Sequence, residues 1–267
     1  MLNSAGLDLV GASDSDATAG REKVRRWQIP FSEDPDEMTH ECQPDFLFVL
    51  PRHDRAPREI ARVAASGLPF LVEKPLGLDA AGASLAAEAV ARAGVYADVC
   101  LPLRHTGIWA AFDEIHRPWS LEDLAYAHFR TINGPPERYS TYGVPWMLDR
   151  RLSGGGTLRN LGFHGVDAAL ALAGGVGRIT VESAALIRRP GDGVERFATA
   201  TLRTAEDALI TLEAGYAIAA HTGTDQEWRI STGRALLCQR DGISRSIPAT
   251  AMRRTSIRPA GSRPMRR

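Results

Sequence analysis

Paired cysteines, a surplus of either charge and long apolar runs are all missing from this chain, and each absence removes a class of protein. Cys42, Cys100 and Cys238 are the three cysteines in 267 residues. They form no CxxC and no Cys/His cluster, so neither a disulfide framework nor a metal centre is written into the sequence. They read as buried thiols of a reducing, cytoplasmic compartment. Thirty-two Lys and Arg balance thirty-two Asp and Glu, so no global field draws nucleic acid or an anionic membrane. No run approaches the ~20 apolar residues that span a bilayer. Met1-Leu2-Asn3-Ser4 lacks the basic and apolar regions of a secretion signal. What remains, 44% apolar and 24% charged residues, is the composition of a soluble enzyme or binding protein with room for one large or two ordinary domains.

Phe70-Leu71-Val72-Glu73-Lys74-Pro75 organises the first half of the chain. The apolar run reads as a buried strand, and it stops on an acid, a base and an imide. Strand ends are where open α/β sheets carry their chemistry. The X-Pro bond fixes the turn and is the one kind of peptide for which the cis form is cheap. Around this strand the pattern alternates. A strand at 7–12 precedes a helix at 16–28 and a short acidic helix at 34–41. A buried strand at 45–50 is stopped by Pro51, and a helix at 58–66 ends on Gly67. Asp79 caps an alanine-rich helix that reaches about residue 92 and closes on Gly94, and 95–103 is the next strand. Alternation at this pitch predicts a parallel sheet.

Past Arg104 the pattern changes. A helix near 109–116 leads into a strand at 124–132 and a loop holding Tyr139, Tyr142 and Trp146. Gly154-Gly155-Gly156 then opens a helix to about residue 173. The runs 179–188, 196–204, 208–216, 226–231 and 235–239 follow as strands without long helices between them, which predicts an antiparallel sheet. The expected fold is therefore α/β and then α+β. Residues 1–104 form a parallel-sheet domain, 105–250 an α+β domain on an open sheet, and 251–267, with six arginines and no acid, a disordered tail.

Asn160, His164 and Asp167 stand at i, i+4 and i+7 in the glycine-led helix, on one stripe. Leu158, Leu161, Val166 and Leu170 take other parts of the circumference, so the helix is expected to be largely buried with its polar stripe on a cavity, a partner or solvent. Taken singly, these residues leave alternatives open. His164 fits a satisfied core histidine as well as a base that moves a proton off a hydroxyl. Lys74 fits a solvated loop lysine as well as a substrate-facing ammonium. Asp14, closing the first strand, fits a turn as well as the acid that bonds the ribose hydroxyls of a dinucleotide. Arg104, Tyr139, Tyr142, Trp146 and Asn160 are candidates for a pocket lining.

Together they resemble the glucose-fructose oxidoreductase and inositol dehydrogenase family (Gfo/Idh/MocA). Glu73-Lys74-Pro75 follows a strand, Trp146 and Ser153-Gly154-Gly155-Gly156 come some eighty residues later, and Asn160, His164 and Asp167 follow at once. Leu103-Arg104 at the junction is similar as well, and the likeness covers about residues 7–240. It implies a Rossmann-like dinucleotide-binding domain and a substrate domain on an open, mainly antiparallel sheet. It also implies hydride transfer between a sugar-like or cyclitol hydroxyl carbon and NAD, with NADP as the alternative. Cofactor contacts would come from Asp14, Pro51, Glu73, Lys74 and Arg104, and Asp14 favours NAD. A small polyhydroxylated substrate would meet Lys74, Trp146, Asn160, His164 and Asp167. Lys74 and His164, with Asn160, would be the catalytic set. No metal, nucleic acid or membrane is implied, and relatives pair through the open sheet.

The chain also departs from the family. Asn160 stands where the family usually has an aspartate, and an amide neither accepts a proton nor stabilises an imidazolium as a carboxylate does. Pro51-Arg52-His53-Asp54-Arg55 replaces a Pro-Asn-x-x-His turn. No Gly-x-Gly-x-x-Gly occurs anywhere. Because Asp14 belongs to the second strand of such a fold, the expectation is an incomplete sheet that lacks its first strand and glycine turn, leaving two strands without a ladder partner. A non-catalytic sensor of a sugar or dinucleotide, and an inactive fragment, are the alternative functions.

Overall fold

The computed structural model describes residues 6–115, 123–217 and 223–248; the expected basic tail lies outside them. In the first part, β1 (Ala12–Ser13) pairs in parallel with β2 (Phe31–Ser32), packed by α1 (Ala17–Val24) and α2 (Pro35–Cys42). A second parallel ladder runs β3 (Leu47–Val49), β4 (Phe70–Val72) and β5 (Ala97–Val99), with β4 in the middle. α3 (Ala56–Ala65) and α4 (Ala80–Ala93) lie side by side on one face of it, where Ile60, Ala64 and Ala86 meet Phe70 and Val72. The helix starts follow the sequence. Asp16, Asp34 and Asp79 each accept a hydrogen bond from a backbone N–H of the first turn, which satisfies donors that have no partner within the helix.

Several expectations are corrected here. Residues 7–11 form no strand: among the described residues no ladder joins β1 to β3, so nothing pairs with them. β2 was not foreseen. The strand expected at 45–50 is three residues long and not buried, with Phe48 52% and Leu50 77% exposed. Both neighbouring helices pack on its other face, so the continuous apolar run covers one side only. The strand expected at 95–103 ends at Val99, because Pro102 opens a 3-10 turn (Pro102–His105). The three cysteines are free and half-buried, not buried.

The second part is built on one seven-stranded sheet. Its strands are β6 (Leu124–Asn133), β7 (Ile179–Ile187), β8 (Phe197–Thr204), β9 (Leu209–Tyr216), β10 (Thr224–Thr232), β11 (Ala235–Arg240) and β12 (Ile243–Pro248), in the order β12-β11-β10-β6-β9-β8-β7. All neighbours are antiparallel except β6 and β9, which run parallel. β12 was missed in the sequence although its signal was there: Asp241 and Gly242 both take positive φ, the two-residue hairpin turn that Asp-Gly favours. α5 (Gly107–Ile115) packs on the sheet near β11. Between β6 and β7 come α6 (Arg138–Thr141), α7 (Arg150–Ser153), α8 (Thr157–Asn160) and α9 (Gly162–Ala173). α9 lies against β6 and β9, close enough that a side chain at Gly165 would meet Phe129 and Leu212 at 3.1 Å. Phe129, Ile210, Trp228, Ile230 and Leu237 form the centre of this core, each at most 2% exposed. No helix among the described residues is long and apolar enough to cross a membrane.

Candidate active site

The site grows from the end of β4. That strand is paired on both sides, and the ladders carry on one residue past it: Glu73 N–H donates to the Val49 carbonyl at 2.9 Å and Cys100 N–H to the Val72 carbonyl at 2.8 Å. The Lys74 backbone is thereby fixed, and the Lys74–Pro75 peptide is cis. The side chain is 8% exposed. Its ammonium donates to the backbone carbonyl of Asn160 at 2.7 Å and to Asn160 Oδ1 at 3.1 Å. An ammonium has three donors, and these two contacts use two of them. Glu73 Oε1 lies 4.0 Å away. Burial pulls Lys74 below the ordinary lysine range, against the opposing pull of Glu73 and then of Cys100.

Asn160 is available for this because the helix expected from the glycine triplet to residue 173 is not continuous. α8 ends at Asn160 and α9 begins at Gly162. The last carbonyls of a helix lack partners within it, and the one at Asn160 takes Lys74. The start of α8 is pinned by Glu195, whose carboxylate accepts from the Gly156 and Leu158 N–H groups at 2.9 and 3.2 Å. A side chain at Gly156 would stand 2.2 Å from the Glu195 carbonyl, so the third glycine of the triplet is required by close backbone approach. On its other side, the Asn160 amide donates from Nδ2 to the hydroxyls of Tyr139 at 2.6 Å and Tyr216 at 3.1 Å. Arg138 Nη2 donates to the same Tyr139 oxygen at 3.0 Å, and its guanidinium lies over both rings. Burial, with Tyr139 second, holds the Tyr216 hydroxyl well above the ordinary tyrosine range.

His164 lies in the first turn of α9, four residues after Asn160. It is half-buried, and burial first, then the Lys74 ammonium, push its pKa down to about 4 against a weaker upward pull from Asp167. Its ring is therefore neutral at pH 7. Asp167, the third member of the stripe, is engaged: Arg104 Nε donates to its Oδ2 at 2.8 Å and Arg104 Nη2 to its Oδ1. The two residues that the sequence assigned to cofactor and to substrate are bonded to each other.

The remaining candidates lie around this centre. Trp146 packs edge-on against His53, with ring centroids 4.9 Å apart, and Tyr142 is 56% exposed. His53, buried, bonds through Nδ1 to the Ser153 carbonyl at 2.8 Å, and Asp54 N–H donates to the Leu152 carbonyl at 3.2 Å. The turn after β3 is thus tied to α7, and Arg159 ties the turn after β4 to α8 by donating to the Gly77 carbonyl. Pro51 sits half-buried at the start of the His53 turn. Asp14 is elsewhere: its carboxylate accepts from Asp16 N–H at 3.0 Å and lies 3.4 Å from Lys23 Nζ, on the wall of a cavity of about 560 Å³ that reaches Gly20, Trp27, Phe31 and Leu50. Among the described residues no group of three or more His, Cys, Asp or Glu is placed to hold a metal. The structure places Lys74, Asn160 and His164 near one another, and adds Arg138, Tyr216 and Glu195, which lie on separate elements and carry no local signature in the sequence.

The comparisons agree with this architecture. Residues 120–235 match the model of the GFO/IDH/MocA C-terminal domain. A sequence comparison with curated proteins finds no match. Among solved structures, GenD2 from gentamicin A biosynthesis in complex with NAD is similar with a TM-score of 0.74 at 21% identity, over 88% of this chain. The chain spans 65% of the GenD2 chain's length. The WlbA dehydrogenase from Bordetella pertussis in complex with NADH and UDP-GlcNAcA is similar with a TM-score of 0.77 at 16% identity, over 92% of this chain and 71% of that one. A levoglucosan dehydrogenase in complex with NADH and levoglucosan has a TM-score of 0.73 at 14% identity, over 90% and 70% of the two chains. At these identities the likeness is one of fold.

Proposed function

We propose, from the premise that this chain belongs to the GFO/IDH/MocA family through the C-terminal domain matched by residues 120–235, that it is an oxidoreductase moving a hydride between the hydroxyl carbon of a sugar-like or cyclitol substrate and NAD. One observation carries the proposal. An ammonium at the end of β4 is held by two oxygens of Asn160 and lies near enough to a histidine one turn further along to help keep it neutral. The complexes of GenD2, WlbA and levoglucosan dehydrogenase support NAD as the cofactor, and those of WlbA and levoglucosan dehydrogenase support a sugar-like substrate.

In the proposed reaction the substrate hydroxyl oxygen takes the third N–H of Lys74 and turns its proton toward His164. His164 accepts that proton as the carbon gives up its hydride and the carbonyl forms. Lys74 holds the oxygen while its charge rises, so its hydrogen bond is stronger in the transition state than in the ground state. Asn160 takes no proton; it fixes Lys74. NAD, when bound, supplies the hydride acceptor. The chain's residues fit the two ends of such a cofactor. Asp14 and its cavity suit the adenosine ribose, where a carboxylate also disfavours a 2′-phosphate, and the Lys74 turn suits the reacting end. No Gly-x-Gly-x-x-Gly is present to bring the pyrophosphate to a helix N-terminus. Residues 1–104 and 105–250 as cofactor and substrate domains belong to the same proposal. So does self-association through the sheet face opposite α9, where Tyr126 and Leu209 stand in register, 40% and 38% exposed.

A second function, sensing a dinucleotide or sugar without turnover, is favoured by Asn160 in place of an acid and by the edges of β1 and β3 that are unpaired among the described residues. The test is to mix the purified chain with NAD and a panel of sugars and inositols and to follow formation of reduced nicotinamide. Turnover that falls roughly 10²- to 10⁴-fold in His164→Ala is the expected result. Dinucleotide binding without turnover overturns the enzyme and supports the sensor.

A further inference from the structure

We infer that Tyr139 and Tyr216 are positioning residues for Lys74: together they hold the plane of the Asn160 amide so that Oδ1 stays on the ammonium. This deepens the proposed function, since it rests on Lys74 as the group that meets the substrate oxygen. The two tyrosines come from distant parts of the chain, α6 and the end of β9. Their hydroxyls nevertheless converge on one nitrogen, Asn160 Nδ2, at 2.6 and 3.1 Å. The opposite atom of the same amide faces Lys74 at 3.1 Å. An amide rotates freely about its last torsion unless its surroundings prevent it. Here three hydroxyl and ammonium partners fix both ends.

The partners are themselves fixed. Tyr139 and Tyr216 are 8% and 4% exposed and meet edge to face with centroids 5.5 Å apart. Arg138, 9% exposed, has no ion pair with a carboxylate among the described residues and instead donates to Tyr139 Oη while lying over both rings. A guanidinium is donor only. It therefore holds the Tyr139 oxygen in the accepting role, which is the role Asn160 Nδ2 requires. The line Arg138, Tyr139, Asn160, Lys74 is one connected run of donors and acceptors. Its consequence is chemical. With Oδ1 in place the ammonium has two oxygen partners and one free N–H; with the amide turned, an NH2 group would face the ammonium, donor against donor. The clamp supplies positional order at residue 160 without a carboxylate there.

The test needs no cofactor or turnover. The chain contains two lysines, Lys23 and Lys74, so the side-chain carbon resonances of labelled lysine give two titration curves, with exposed Lys23 as the internal reference. In Asn160→Ala the Lys74 midpoint is expected to fall by about one pH unit, the order of one hydrogen bond to a charged group. The double variant Tyr139→Phe/Tyr216→Phe, which keeps both rings, is expected to reproduce most of that fall, with each single variant in between. The Lys23 midpoint should not move. A double variant whose Lys74 titrates as in the wild type overturns the clamp, and so does an Asn160→Ala variant without a shift. If the double variant does not fold, the single variants carry the same comparison, read as a partial fall or none. Turnover measured on the same proteins keeps the two claims apart, because a wild type that binds no NAD counts against the proposed reaction and leaves the Lys74 titration standing.

Discussion

The strands up to Val99 and those from Leu124 on are made of similar sequence and behave differently. The seven strands between Leu124 and Pro248 form one unbroken ladder, and the apolar residues facing α5 and α9 are buried almost completely. The five strands between Ala12 and Val99 form two ladders without a bond between them, and Val10, Phe48 and Leu50, as apolar as anything in the large sheet, are 44%, 52% and 77% exposed. An apolar run produces a buried strand only where another strand satisfies its backbone and another layer covers its face. The candidate active site sits where both conditions are met on the small-sheet side. β4 is the one strand of its ladder paired on both edges, and the turn after it is bonded to α8 of the larger half.

The largest expected effect tests the continuous half. Trp228 is 1% exposed and stacks edge-on against Phe129 and Trp109, so Trp228→Ala should cost about 3–5 kcal/mol. Chemical denaturation followed by tryptophan fluorescence and circular dichroism measures it. A loss below about 1 kcal/mol would mean that the large sheet does not carry the stability of the fold.

How much of this was legible in the sequence follows the same division. The helix from Asp79 and six of the seven strands of the large sheet were readable because their signals are local: an N-cap aspartate, a C′ glycine, alternation along a strand. The exposure of Phe48 was not, because which face α3 and α4 would cover is decided by contacts far from residue 48. Within the candidate site, Lys74, Asn160 and His164 were singled out by their places on a strand end and a helix. The break at Leu161 was not foreseen: Gly162 stands directly after it, but a single glycine inside a helical pattern is tolerated and does not by itself announce a break. Tyr216 escaped for another reason: a tyrosine closing a strand looks like any β-former, and its hydroxyl acquires meaning only when β9 lies beside α8.

An intermediate effect concerns three buried or half-buried histidines, of which His53 and His164 lie at the seam between the halves and His128 within the large sheet. His164 at about 4, and His53 and His128 also below the ordinary histidine range, all owe the shift first to burial. Their folded values lie below the unfolded value near 6.5, so under about pH 6.5 the unfolded chain binds protons that the folded chain refuses. Stability is full above that range and falls as the pH is lowered toward 4; below about 4 His164 titrates in the folded state too and its share stops growing. Thermal melts between pH 7.5 and 4.5 should show this fall. His164→Gln and His53→Gln should flatten it more than a change at exposed His105 does. A fall of the same steepness in all three variants would place the acid sensitivity away from the seam.

The smallest expected effect is the most pointed probe of the broken half. Phe48 touches Phe46 edge-on at 5.3 Å and otherwise faces outward. Phe48→Ser should change stability by no more than about 0.5 kcal/mol, as exposed positions do. Measured against Trp228→Ala in the same denaturation experiment, it asks whether the free face of β3 is bare in solution as well. A cost above about 1 kcal/mol would show that something covers that face, and the contrast between the two sheets would then be one of partners and not of sequence. A null effect, together with improved solubility from the removal of an exposed ring beside a strand edge that is unpaired among the described residues, would show that the outer face of β3 is bare in solution and that burial on the α3 and α4 face alone holds the strand.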